Sequence, residues 1–209
     1  MARTKDPAVR PLLLRRAAQM LRTREPITLR TLVAGTGVST MAVYTYFGGM
    51  DGMWKALRQQ GFTRLEATLA TVAMTADPVA DLATLGAAYL ANALESPDLY
   101  RVMFDADFEL EDSGAADDTL HRLVHTTDRA RTAGRFRDDV DPLELATRTW
   151  IIGHGLASLV ATGPLPRQVL AHGVPMLIAL FVSAGDDPDS CRRSVEHGWG
   201  LVPLVPLGT

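Results

Sequence analysis

Between Ile27 and Phe47 the chain gathers a run of hydroxyl, guanidinium and methyl-bearing side chains: Thr28, Arg30, Ser39, Thr40, Met41, Tyr44, Thr45 and Tyr46. These groups do not make a catalytic set. Thr, Ser and Tyr hydroxyls and the Arg guanidinium meet phosphates and base edges, and Met and Thr methyls meet thymine methyls. Lys55, a little further on, adds a point charge of the kind that neutralises phosphate. The spacing predicts two short helices around a tight turn. Thr28 caps the first, from Leu29 to about Thr36, and Gly37 makes the turn. Ser39 or Thr40 caps the second, which runs through Tyr46 and stops at Gly48-Gly49. That is a helix-turn-helix, whose second helix lies in the DNA major groove. Val43 and Phe47 are four apart and face inward with Leu32, Val33 and Val38, which turns the hydroxyl-bearing residues outward. Thr28 and Arg30, at a helix start, reach backbone phosphates.

Other reactive side chains are less patterned. Tyr100, Met103, Phe104 and Phe108 cluster in sequence, a composition shared by ligand cavities and ordinary cores. His121 and His125 stand i, i+4, which suits two ligands of one metal, and Asp105, Asp107 and Asp128 are candidate carboxylates. Spacing fixes no third ligand, so no metal is expected. His154 has apolar neighbours and reads as a satisfied interior histidine. Cys191 and His197 are nucleophile and base types, but no oxyanion-hole signature accompanies them and no enzyme activity is expected. Arg129, Arg131, Arg135 and Arg137 read as a solvated helix end that complements the helix dipole.

The elements that position these residues are helical throughout, with no period-2 alternation between hairpin turns. A first helix is predicted over Pro7–Arg22, with Asp6 as cap. A long fourth starts near Met50 with the stripe Trp54, Leu57, Gly61, Leu65, Leu69 and Val72. Further helices are predicted from Asp77-Pro78 to Glu95, Asp98 to Glu109, Ala116 to Ala133, Pro142 to Ala161, and Arg167 to Ser183 with a kink at Pro175. The expected organisation is a helix-turn-helix domain over 1–48, a helical dimerisation and ligand-sensing domain over 49–185, and an extended or poorly ordered tail over 186–209. Residues 1–58 hold ten Lys or Arg against three Asp or Glu, whereas the whole chain of 209 residues carries a net −3. A basic head on an acidic body suits a nucleic-acid reader. The single cysteine forbids an intrachain disulfide and fits a reducing compartment. The charged N-terminus shows no signal peptide. The longest apolar run, Met176 to Val182, falls short of the roughly 18 residues of a membrane span. The expectation is a soluble, cytoplasmic protein with no membrane partner.

The stretch TLRTLVAGTGVSTMAVYTYFGGMDGMWKAL, with Ala17-Ala18 before it, resembles the DNA-binding domain of the TetR family of transcriptional regulators. Gly37-Val38-Ser39, Val43-Tyr44, Tyr46-Phe47 and Met53 carry the likeness. Three positions depart from it: Ala42 where the family often has Thr, Met50 where it has Lys, and Tyr46 where it often has His. Ala42 and Met50 lighten the phosphate grip. Downstream, Trp150-Ile-Ile-Gly-His154-Gly155 resembles the C-terminal domain of a TetR subgroup marked by a W…HG signature. The segment Trp150 to Ala161 is apolar nearly all round and must be covered all round, by core on one side and a partner on the other. The resemblance implies an all-α fold and a homodimer held by its last two long helices. It also implies a ligand cavity near Tyr100, Met103, Phe104, Phe108, His125, Trp150 and His154, open to a small apolar or aromatic effector. The function it implies is a ligand-responsive regulator, usually a repressor, on a palindromic operator of double-stranded DNA. The alternative is a DNA-binding regulator without an effector, controlled by a protein partner or by abundance. No cofactor is expected.

Overall fold

The computed structural model describes residues 6–105 and 114–204, apart from the side chains of 114–117. Phe108 and Asp107, both singled out above, lie outside the described residues, as do Arg3 and Lys5. The order is α1 (Val9–Thr23), α2 (Leu29–Val33), α3 (Thr40–Phe47), α4 (Met50–Ala70), α5 (Pro78–Glu95), α6 (Pro97–Met103), α7 (Gly114–Thr132), α8 (Pro142–Ala157), α9 (Gly173–Ser183) and α10 (Pro188–Gly200). A π-helical turn, Ser158–Thr162, follows α8, and a 3-10 segment, Arg167–His172, precedes α9. No strand occurs among the described residues. Two compact units result, one of residues 1–63 with 98–113 and one of 64–97 with 114–209.

In the first unit Leu13, Ala17 and Met20 line one face of α1 at steps of four and three, which is the helical period. They bury against Leu32, Val43, Met53, Ala56, Leu57 and Val102. The unit therefore extends past residue 48. Three short helices bury too little apolar surface to stand alone, and the first half of α4 together with Leu99 and Val102 completes the core. The α3–α4 corner is tight enough to demand glycine. A Cβ on Gly52 would sit 1.7 Å from the Phe47 carbonyl oxygen.

In the second unit α5 is buried along nearly its whole length. One of its covers is α10, which corrects the expectation of an extended tail. Asp187 caps this helix by accepting from the Ser190 amide at 2.9 Å, and Pro188 occupies its first turn. Its buried face is Cys191, Ser194, Val195 and Gly198, small residues that give little periodic signal in sequence. Smallness is required here, since a Cβ on Gly198 would meet the Ala80 carbonyl oxygen at 2.1 Å. The kink expected at Pro175 falls earlier. Pro175 sits in the first turn of α9, where its missing N–H leaves no bond unmade. The 3-10 segment carries the irregularity instead.

The expected solvated arginine cluster also needs correcting. Arg135 reaches Asp186 through Nε to Oδ1 at 2.7 Å and Nη2 to Oδ2 at 2.8 Å, a two-pronged pair. Its Nη1 donates to Asp77 Oδ1 at 3.0 Å, and Ser194 Oγ donates to Asp77 Oδ2 at 2.6 Å. Asp77 Oδ1 in turn caps α5 through the Val79 and Ala80 amides. Arg129 pairs with the buried Asp81 at 2.9 Å. Arg131 and Arg137, paired with Asp128 and Asp139, remain near the surface. The chain thus ties the end of α7 to the starts of α5 and α10 through charge. Arg135→Ala should lower unfolding free energy by about 3 kcal/mol in denaturant titration, because it strands a buried carboxylate. Arg131→Ala should change it by less than about 1 kcal/mol.

Candidate functional site

The reader surface is set by one buried residue. Val43 is fully buried, so its neighbours on α3 must point away: Met41 is 64% exposed and Tyr44 50%. Beside them, Ser39 is exposed in extended backbone and makes no side-chain cap bond. The Tyr44 ring passes 3.7 Å from where a Gly49 Cβ would stand. Thr45 is exposed, and its hydroxyl donates to the Met41 carbonyl at 2.9 Å, which leaves its oxygen able to accept. Thr40 is half-buried. Thr28 spends its hydroxyl on a capping box, accepting from the Thr31 amide at 3.2 Å while the Thr28 amide donates to Thr31 Oγ1 at 2.8 Å. Arg30 is exposed next to it, and Lys55 is half-buried on α4. Tyr46 departs from the outward set. Half-buried, it donates its hydroxyl to the Asp6 carbonyl at 2.8 Å. Ala42 and Met50 are half-buried.

The residues expected around an effector do not form one cluster within either unit. Tyr100 and Met103 are buried in the first, where Phe104 packs edge-on to Phe62 at 5.6 Å and tilted to Tyr100 at 5.0 Å. Arg58 Nε donates to the Met103 carbonyl at 2.8 Å, and Gly61 leaves room for the Met103 side chain. This is packed core. Trp150 belongs to the second unit, where it lines a small chamber with Leu69, Leu85, Gly86, Tyr89, Thr119, Leu123, Thr149 and Gly153. The chamber has a volume of about 20 Å³, room for one water. Thr149 donates to the Leu145 carbonyl at 2.9 Å, whereas the buried Thr119 hydroxyl has no hydrogen-bond partner. Tyr89 Oη and His154 Nδ1 are 3.0 Å apart, and the Trp150 and His154 rings are centred 5.4 Å apart. Burial pushes the His154 imidazole below its ordinary value. The neutral ring can then accept from the Tyr89 hydroxyl.

His125 and His121 are exposed instead, in an open groove with Glu66, Leu69, Met74, Asp118, Thr119 and Arg122. Leu69 and Thr119 line both the groove and the chamber. No group of three or more His, Cys, Asp or Glu able to hold a metal occurs among the described residues. Cys191 is buried, its thiol pushed up to about 12 chiefly by burial, and His197 is exposed. A thiol so held is not a nucleophile. Tyr89 and Thr119 escaped the sequence reading because their neighbours in the chamber come from helices distant in the chain.

Residues 82–178 match the family model described as the tetracyclin repressor-like C-terminal domain. That stretch is a TetR-type C-terminal domain. No curated protein matches it. Solved structures share the fold of this chain at low identity. A TetR-family regulator of Rhodococcus RHA1 is 16% identical with a TM-score of 0.66, covering 87% of this chain and 100% of that one. The TetR-family regulator PfmR of Thermus thermophilus is 17% identical with a TM-score of 0.64, covering 84% and 99%. AibR, solved with isovaleryl coenzyme A and operator DNA, is 18% identical with a TM-score of 0.60, covering 83% and 98%. No helix among the described residues is long and apolar enough to cross a membrane.

The depressed His154 makes stability depend on pH with a definite sign. The unfolded imidazole titrates near 6.5 and the folded one lower. The stabilisation is complete above the unfolded value and is lost as pH falls through it toward the folded value. His154→Gln, which retains hydrogen bonding to Tyr89, should flatten the fall in melting temperature between about pH 7.5 and 5.5 relative to the unsubstituted protein.

Proposed function

We propose that this TetR-family protein is a ligand-responsive, DNA-binding transcriptional regulator that grips a palindromic operator as a homodimer and represses. The observation that carries the reading is the α3 surface. A helix held by one buried valine presents Met41 and Tyr44 to solvent, flanked by Ser39, Thr40 and Thr45, with Thr28, Arg30 and Lys55 for phosphate. AibR, solved with operator DNA and an acyl coenzyme A, supports this use of the fold. The homodimer rests on α8, the π-helical turn after it, and α9, where Ile151 is 58% exposed, Leu159 45% and Met176 44%. A two-fold pairing of this surface gives two reader heads and hence a palindromic site. The protein acts in the cytoplasm and has no catalytic role.

Control works by population shift. A small apolar or aromatic effector that fits an enlarged chamber beside Trp150, Tyr89 and Thr119 favours one state of the body. The helix α4 carries Met53, Ala56 and Leu57 of the head core and Leu69 of the chamber wall, so it feels both. Tyr100, Met103, Phe104 and His125 are not among the residues lining this chamber. The small volume of the chamber favours the second reading, a DNA-binding regulator with no effector, controlled by a protein partner or by abundance.

Band-shift titration with the duplex flanking its own gene tests the reading. Tyr44→Ala should weaken binding on the order of 30-fold or more, losing contacts in both half-sites, with the dimer intact in light scattering. Unchanged affinity would take Tyr44 off the reader surface. Ile151→Asp should yield a folded monomer in the same light-scattering measurement, and a stable dimer would move the interface elsewhere.

A further inference from the structure

We propose that Met41 sets the base specificity of the reader helix: its exposed side chain packs on the 5-methyl group of a thymine in each operator half-site. The proposal rests on the DNA-binding reading above and names what that surface reads. Met41, Tyr44 and Thr45 are the exposed residues of α3. At spacings of three and four they share one helix face, opposite the fully buried Val43. Met41 is the most exposed of the large apolar residues in the first unit, and it is not part of that unit's core.

The chemistry of the remaining side chains leads to thymine. The helix, TMAVYTYF, carries no Arg, Lys, Asn, Gln, Asp or Glu. The strong hydrogen-bonded base contacts of the major groove come from those side chains: Arg or Lys to guanine, Asn or Gln to adenine, Asp or Glu to cytosine. The side chains of α3 can make none of them. Two of its hydroxyl protons are already committed. Thr45 donates to the Met41 carbonyl at 2.9 Å, and Tyr46 donates to the Asp6 carbonyl at 2.8 Å. Ser and Thr hydroxyls bond several base edges and so separate them little. An apolar side chain distinguishes bases by a single group, the thymine methyl, which is the apolar feature of the major groove. Methionine suits it, being unbranched, flexible and polarisable. Covering the exposed side chain and the methyl together removes apolar surface from water on both partners.

The test selects a duplex from a random-sequence pool with the unsubstituted full-length protein, then remakes it with uracil in place of every thymine. Uracil keeps the hydrogen-bonding edge and loses only the methyl. In fluorescence anisotropy the unsubstituted protein should bind the uracil duplex about fifteenfold more weakly, from about fourfold for one buried methyl in each of two half-sites. Uracil placed at single positions should concentrate the loss at one thymine per half-site. Met41→Ala puts a strong helix former at an exposed position, so circular dichroism should be unchanged. It should bind the thymine duplex more weakly than the unsubstituted protein does, and the two duplexes alike to within about twofold. An unsubstituted protein that binds both duplexes equally, or a Met41→Ala protein that keeps the full uracil penalty, would overturn the proposal and leave the DNA-binding reading standing. A pool that yields no bound duplex at any salt sinks both.

Discussion

Asp186 is almost wholly removed from water, its side chain 1% exposed, and the forked guanidinium of Arg135, with the Asp187 amide at 3.1 Å, makes that tolerable. Much of the second unit follows from satisfying this one carboxylate. Arg135 lies past the end of α7, Asp186 lies between α9 and α10, and Asp77 caps α5, so the pair brings three chain segments to one point. Asp77 shows how the balance is kept. Burial opposes its ionisation, but Ser194, the Ala80 amide, Arg135 and the Val79 amide together hold its carboxyl below the ordinary range. Its charge is therefore present at neutral pH and available to cap α5. The clamp also recruits α10 through Ser194, which puts Gly198 and Trp199 against α5 and α9.

The first unit solves a different problem. A reader helix must expose its contact residues and still be rigid, and α3 does so by burying Val43 while Met41 and Tyr44 face solvent. Rigidity then comes from the ends. Gly52 permits α4 to start against the Phe47 carbonyl, and Tyr46 and Phe47 hold the beginning of α1.

The chamber beside Trp150 is nearly filled, and the hydroxyl of Thr119 is left without a partner in it. An unpaired buried hydroxyl carries a desolvation cost, which an incoming polar atom would relieve. Glycine at 86 and 153 thins two of the walls.

The sequence by itself determined the helical architecture, the helix-turn-helix and its outward residues, because these depend on local spacing: caps, glycine turns and a buried position every three or four residues. Val43 inward with Tyr44 outward is legible at that range. The helix over Pro188–Gly200 was not, since its buried face is small residues whose burial depends on the close approach of Ala80. Nor were the roles of Arg129 and Arg135, which read as solvent-facing until Asp81 and Asp186 arrive from distant parts of the chain. The same holds for Tyr46, outward by its spacing yet half-buried and bonded to the Asp6 carbonyl. Tertiary structure alone decided these, because a side chain's partner across forty or more residues is fixed by how helices pack and not by the residues beside it.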